Sequence, residues 1–141
     1  MAWRKLTGLP AFVILLSLTG CAATAPPANS GCGQGQSMQV VEALYFGANK
    51  PQGMVSPQEW SAFIDEVVTP RFPQGLSVLQ AAGQWRNAQG VIERETSRLL
   101  QIVHEGTARD DAAIREIVTH YKTAHQQEAV MRLRSLACVS F

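Results

Sequence analysis

The 141-residue sequence lacks several features that would point directly to a function. Its 12 basic and 11 acidic residues nearly balance, so no positive excess predicts a nucleic-acid partner. It has no GxSxG segment of a serine hydrolase, and no two histidines four residues apart that would bind zinc from one helix. No apolar run approaches the roughly 20 residues that a membrane-spanning helix needs. We therefore predict no catalytic residue, no metal site and no cofactor.

The first 20 residues have the three parts of a bacterial export signal. Two basic residues near the start are followed by residues 9–18 (LPAFVILLSL), an apolar segment too short to cross a bilayer. Residues 18–21 (LTGC) then resemble a lipobox, in which small residues precede a cysteine that receives a diacylglycerol group. We expect cleavage between Gly20 and Cys21 and lipid on the Cys21 thiol. The alternative is an ordinary secretory signal with a chance cysteine.

Lipid on Cys21 predicts attachment to a membrane of the bacterial envelope. Each buried methylene contributes about 0.8 kcal/mol, so two or three acyl chains hold a protein firmly. Ala22 follows the cysteine, and by resemblance to lipoprotein sorting rules it favours the periplasmic face of the outer membrane. Residues 21–37 comprise the cysteine expected to carry lipid and a segment rich in Ala, Pro and Gly, whose composition predicts a flexible tether. Residues 38–141 have the length of a single domain.

Six segments in residues 38–141 predict an α+β domain. They are strand 38–47, a helix from Pro57 that Pro70 stops, strands 76–86 and 91–104, a helix from Asp110 or Asp111, and a half-buried strand 129–141. The first helix begins with a capping box, SPQE, at residues 56–59. The order β-α-β-β-α-β predicts a ferredoxin-like sandwich, an antiparallel sheet with both helices on one face.

The two cysteines other than Cys21 form a candidate disulfide. In a ferredoxin-like sheet the first and last strands are antiparallel neighbours, so Cys32, before the first strand, would lie near Cys138, close to the end of the last. An oxidising envelope compartment would favour the bond. The alternative is two unpaired thiols, one of them in the tether.

The hairpin of strands 76–86 and 91–104 predicts a candidate binding face. If Arg86 pairs with Val91, then Gln84 lies opposite Glu93, and these residues share the open face of the sheet with Glu95. This face would be a polar pocket or a dimer surface, with carboxylates available as acid and base. The alternative is a solvated face whose ion pairs contribute little.

The segment 70–75 (PRFPQG) predicts a rigid turn between the first helix and the next strand. Two prolines restrict its backbone, and the turn would present Arg71 to an anion. The alternative is that the turn only positions the strand that follows.

Several segments resemble an uncharacterised bacterial family catalogued as domain of unknown function 3574. They are TPRFPQGL at 69–76, GQWR at 83–86, ERE at 93–95, and residues 121–130. The resemblance covers about residues 40–141, and members of the family are often small exported lipoproteins. It implies no established activity and supplies no catalytic residue.

Two hypotheses of function follow. The first is a non-enzymatic envelope lipoprotein whose domain binds a small ligand or an envelope protein partner, or pairs with itself through the open sheet. The second is a small enzyme of the dimeric α/β-barrel type, with Arg86, Glu93 and Glu95 lining a polar pocket on the open face.

Overall fold

The structure, a computed structural model, describes residues 31–141. The predicted signal peptide, the Gly20–Cys21 cleavage site and most of the predicted tether lie outside these residues. The long strands are β1 (Ser37–Gly47), β4 (Ser77–Arg86), β5 (Ile92–His104) and β6 (Met131–Val139). The short strands β2 (Asn49–Lys50) and β3 (Gly53–Met54) form a small hairpin after β1. The helices are α1 (Pro57–Phe63), extended by a π-helical turn (Ile64–Val68), and α2 (Ala108–His125).

The first helix begins at the predicted capping box. The Glu59 amide donates to the Ser56 hydroxyl at 3.1 Å, and the Ser56 amide donates to the Glu59 carboxylate at 2.8 Å. The helix widens at its end, where the Thr69 amide donates to the Ile64 carbonyl at 2.9 Å, and Pro70 follows. A second capping box, between Thr107 and Asp110, begins α2. Local side-chain chemistry therefore sets the start of both helices.

The four long strands form one antiparallel sheet in the order β4-β5-β1-β6. β1 and β6, which are the first and last strands along the chain, are neighbours in the sheet, as predicted from the order of elements. The register between each pair of strands is continuous, so residues directly opposite one another share a face. The domain is thus an α+β structure in which a four-stranded antiparallel sheet packs against two helices.

The hydrophobic core lies between the helices and one face of the sheet. The buried side chains of the sheet in this core come from alternate positions of β1 and β5, and the helices contribute apolar stripes of helical periodicity. Its members are Leu44, Phe46, Val55, Trp60, Phe63, Val67, Val68, Phe72, Leu100, Ile102, Ile114, Ile117 and Tyr121. The Tyr121 hydroxyl donates to the Gly47 carbonyl at 2.8 Å, which satisfies it inside the core.

The predicted disulfide is present. Cys32 and Cys138 are bonded, with Cα atoms 5.3 Å apart and a sequence separation of 106. Met38, at the start of β1, lies opposite Cys138 in β6. The bond therefore joins the chain just before the first strand to the last strand, where the antiparallel pairing brings them together.

In β6 the arginines face the helices and the apolar residues face away from them, which is the reverse of the usual arrangement in a half-buried strand. Arg132 and Arg134 lie opposite Leu44 and Glu42, on the helix side of the sheet. The apolar residues that alternate with them, including Met131 and Leu133, are exposed on the open face, away from the helices. The reason is tertiary: a buried carboxylate in β1 needs positive partners on the helix side.

Candidate functional site

The prediction of a polar face on the hairpin is wrong, because the observed pairing of β4 with β5 is shifted by one residue from the predicted pairing. Arg86 lies opposite Ile92, and Gln84 lies opposite Arg94. A one-residue shift moves every side chain of one strand to the other face. Gln84 and Arg86 are consequently on the helix side of the sheet, whereas Glu93 and Glu95 are on the open side. These four side chains do not form one site.

The shift originates in the loop of the hairpin. The Asn87 amide donates to the Val91 carbonyl at 2.9 Å, so five residues, not four, separate the two strands. The Asn87 side-chain oxygen accepts from the Gln89 amide at 3.0 Å and from the Val91 amide at 2.9 Å. The side-chain nitrogen of Asn87, Nδ2, donates to the Glu93 carboxylate at 2.6 Å. Asparagine side chains commonly organise turns in this way, and Glu93 is part of that turn.

Glu95 lies where β1 leaves the sheet. A Cβ atom on Gly47 would be 2.5 Å from a Glu95 carboxylate oxygen, so the absence of a side chain at Gly47 allows the approach. Burial raises the pKa of Glu95, although a hydrogen bond from the Asn49 amide opposes the change. The carboxylate thus fastens the β1–β2 connection to β5.

The guanidinium group of Arg71 is hydrogen-bonded to two neighbouring residues of the domain. Its Nη1 atom donates to the Val67 carbonyl at 2.7 Å, and its Nε atom donates to Glu116 at 3.2 Å. These bonds join the turn after α1 to helix α2. The Arg71 side chain also borders a cleft of about 570 Å³ between this turn and the start of α2.

A charge cluster defined by Glu42, Arg132, Arg134 and Asp111 lies between the sheet and the start of α2. We call it the buried charge cluster because the carboxylate at its centre is fully buried, whereas the other three side chains are 25% to 42% exposed. Glu42 is 0% exposed. It accepts from Arg132 through both oxygens, at 2.8 Å from Nε and 2.5 Å from Nη2, and lies 3.8 Å from Arg134 Nε. Asp111 accepts from Arg132 at 2.7 Å and from Arg134 at 3.4 Å. The hydrogen bonds to Glu42 raise the pKa of Arg132. The buried charge cluster therefore links β1, β6 and α2.

His104 connects the buried charge cluster to the cleft. Its Nδ1 atom accepts from the Gly106 amide at 2.9 Å, whereas its Nε2 atom faces Glu42. That Nε2 atom lies 3.7 Å from Glu42 and has no hydrogen-bond partner among residues 31–141. Asp110 lies 3.3 Å from Nδ1. Burial raises the pKa of Asp110, but hydrogen bonds from the Thr107 amide and hydroxyl group outweigh it and lower the pKa overall.

The open face of the sheet has apolar side chains arranged in rows that cross the strands. One row crosses all four strands as Leu79, Leu99, Tyr45 and Met131, each directly opposite the next. The adjacent row is Ser77, Gln101, Ala43 and Leu133, and a third contains Val103, Val41 and Ser135. We call these three rows the apolar face. None of its 11 positions carries a charge.

Three large apolar side chains of the apolar face are about half exposed to solvent. Leu79 is 49% exposed, Met131 52% and Leu133 51%. Monomeric soluble proteins seldom expose large contiguous apolar patches, and such patches mark sites of interaction. The apolar face is therefore the feature of the described residues that most strongly indicates binding.

Sequence reasoning predicted an open face of the sheet but placed polar side chains on it, so it missed the apolar character of that face, and it also missed the buried charge cluster. One signal for the cluster was available: Glu42 is a charged residue in the middle of an otherwise apolar strand, and such a residue requires a partner when buried. The alternating arginines of β6 were visible as well. A half-buried strand is usually interpreted with its apolar residues inward, and that interpretation leaves the carboxylate of Glu42 without a counter-charge.

The fold and these surfaces define a small α+β domain with one sheet face that no other element of residues 31–141 covers. The family model described as "Protein of unknown function (DUF3574)" matches residues 41–141. The chain belongs to this family, which confirms the resemblance seen in the sequence. No functionally curated protein matches the sequence.

Two kinds of solved structure resemble the chain. A phage SAM lyase in complex with S-methyl-5'-thioadenosine has a TM-score of 0.55 and 13% identity, covering 79% of this chain and 94% of that one. CutA from Synechococcus elongatus PCC7942 has a TM-score of 0.50 and 14% identity, covering 72% and 83%. At this identity the similarity concerns the fold alone.

No helix within residues 31–141 has the length and apolar character needed to cross a bilayer. In the same part of the chain, no three or more His, Cys, Asp or Glu side chains are grouped to hold a metal ion.

Proposed function

We propose that the protein is a lipid-anchored lipoprotein of the bacterial envelope, whose domain acts by binding a protein partner rather than by catalysis. The proposal of an anchor rests on residues 1–21, with the lipobox LTGC before the mature domain. Ala22 supports a location on the periplasmic face of the outer membrane. The Cys32–Cys138 disulfide is consistent with an oxidising compartment.

The topology that we infer for the domain is ferredoxin-like. The strand order β4-β5-β1-β6 and the helices α1 and α2 on one side of the sheet support it. In such a sandwich the second face of the sheet has no covering layer of its own. A partner has to supply that layer if the face is to be buried.

The apolar face is the single observation that carries the proposal of partner binding. Eight of its 11 positions are apolar and none is charged. Leaving Leu79, Met131 and Leu133 about half exposed forgoes the roughly 25 cal/mol per Å² gained by burying apolar surface. A protein partner seated on these side chains would recover that free energy.

The enzymatic alternative has less support in the geometry. Its pocket would be lined by Arg86, Glu93 and Glu95 on the open face. Arg86 lies on the helix side instead, where its Nη1 donates to the Gly90 carbonyl at 3.4 Å, and Glu93 is bonded to Asn87. The polar groups that the pocket required are therefore separated by the sheet.

Lipid attachment is tested by metabolic labelling of the full-length chain with an alkyne-tagged palmitate. Wild-type protein should acquire the label, and Cys21→Ala should acquire none and should accumulate unprocessed. Cys32→Ala is the matched control and should still be labelled. Acyl label on Cys21→Ala, with maturation before residue 21, would refute the anchor.

Partner binding is tested by photocross-linking in intact cells. A photoreactive amino acid in place of Leu133, on the apolar face, should give a discrete adduct larger than one chain. The same amino acid in place of Thr123, which is exposed on α2, is the control and should give none. Absence of any adduct from Leu133 would refute binding through the apolar face.

A further inference from the structure

We propose that the partner on the apolar face is a second copy of this chain, forming a two-fold symmetric dimer with the two sheets face to face. This inference rests on the proposed function, because it names the partner for the same surface. Each copy would then complete a core for the other, with helices on the two outer sides and two sheets between them.

The charge distribution favours a second copy. A two-fold interface brings each surface patch against itself, so any charge near the axis meets a like charge. Like charges placed opposite one another across an interface are strongly unfavourable. The apolar face avoids this, because its three rows contain only apolar side chains and the uncharged Ser77, Gln101 and Ser135. Surfaces that select a different protein commonly use complementary charges for the purpose, and this surface has none.

The charged residues of the open side lie beyond the apolar face, where they would form a rim. Glu93 and Glu95 are at the far end of the hairpin, opposite Trp85 and Gly83. An uncharged centre with charges at the edge is the usual arrangement of a protein–protein interface.

The size of the sheet is also compatible with a dimer. The four long strands contain 11, 10, 13 and 9 residues. With about 3.4 Å per residue and about 4.8 Å between strands, they cover about 700 Å² in plan. A stable interface buries about 800 Å² of accessible surface on each partner, and a corrugated surface exposes more area than its plan. The whole open side of the sheet, with the apolar face at its centre and the charged rim at its end, therefore approaches the area that a dimer needs.

Gln101 offers a test that distinguishes a second copy from any other partner. The centre of the sheet lies between β5 and β1, and Gln101 is an exposed residue of β5 directly opposite Ala43 of β1. In a face-to-face two-fold dimer a residue at the centre lies close to its own counterpart. A charge at Gln101 would thus meet the same charge, and opposite charges on the two copies would attract.

The experiment uses two full-length chains with different epitope tags, expressed together in the envelope and captured through one tag from solubilised membranes. Wild-type chains should capture one another. Gln101→Glu in both chains, or Gln101→Lys in both, should lower the captured amount about tenfold, and one of each should restore most of it. Thr123→Glu and Thr123→Lys, on the outer surface of α2, are the matched controls and should change nothing. A gel-mobility shift on reduction should show the Cys32–Cys138 disulfide in every variant.

The outcomes separate this inference from the proposed function. If wild-type chains do not capture one another, and the Leu133 adduct contains one copy and a different protein, the dimer is refuted and partner binding stands. If the Gln101 variants behave like the Thr123 controls, pairing does not use the apolar face and the inference is overturned. If Leu133 gives no adduct and the chains do not pair, both proposals are refuted.

Discussion

Replacing Glu42 by leucine should lower the free energy of unfolding by about 3 kcal/mol. The carboxylate is 0% exposed and accepts two hydrogen bonds from Arg132. Removal of one member of a buried ion pair costs about 3–5 kcal/mol, because the other charge loses its partner without regaining full hydration. The lower value applies here, since Arg132 is 25% exposed and keeps its contact with Asp111 at 2.7 Å.

The pair itself need not be stabilising. Buried ion pairs replaced by apolar residues of similar volume often give proteins of equal or greater stability. The double variant Glu42→Leu with Arg132→Leu should therefore recover most of the loss. Recovery in the double variant would show that the cost of the single change comes from the unpaired guanidinium rather than from the loss of a favourable contact.

Urea denaturation of the oxidised protein, followed by far-ultraviolet circular dichroism, measures both effects. Glu128→Gln, at an exposed position, is the control and should change stability by less than about 0.5 kcal/mol. A loss below about 1 kcal/mol for Glu42→Leu would be outside the range for a buried pair and would refute the account of the buried charge cluster.

Two further predictions concern the disulfide and a carboxylate. Replacing Cys32 and Cys138 together by serine should lower the free energy of unfolding by about 2–4 kcal/mol, and equal stability of oxidised wild type and variant in urea would contradict this. Hydrogen bonds from Lys50 and Ser56 lower the pKa of Glu59 from 4.5 to about 2. Its stabilising contribution should be complete above pH 4.5 and lost as the pH falls towards 2. The thermal stability of Glu59→Gln should therefore fall less between pH 4.5 and pH 2 than that of wild type. The same dependence of stability on pH in both proteins would contradict this role of Glu59.

The elements and their order were predictable because their signals are local. The capping box at Ser56 and Glu59 is complete within four residues, and its hydrogen bonds are those expected from the residue types. The β-α-β-β-α-β order then placed Cys32 near Cys138 without any further information. Short-range patterns and chain topology were sufficient for these features.

The faces of the strands were not predictable in the same way. The hairpin register depends on how the Asn87 side chain closes the loop, and a shift of one residue reversed the predicted face. The orientation of β6 depends on Glu42, about 90 residues earlier in the chain. Alternation alone specifies that two faces differ, but a distant partner decides which one turns inward.

The Cys32–Cys138 bond has a consequence for how the domain would meet a membrane. With Cys21 as the anchor, only the segment up to Cys32 can act as spacer, because the bond fastens residue 32 to β6. At about 3.5 Å per residue, these 11 steps reach at most about 40 Å. The bonded Cys32 end of each anchored domain would then stay within that distance of the membrane, and confinement to two dimensions raises the effective concentration of neighbouring domains. A weak pairing of sheets would be populated there at copy numbers that would leave the same domains separate in free solution.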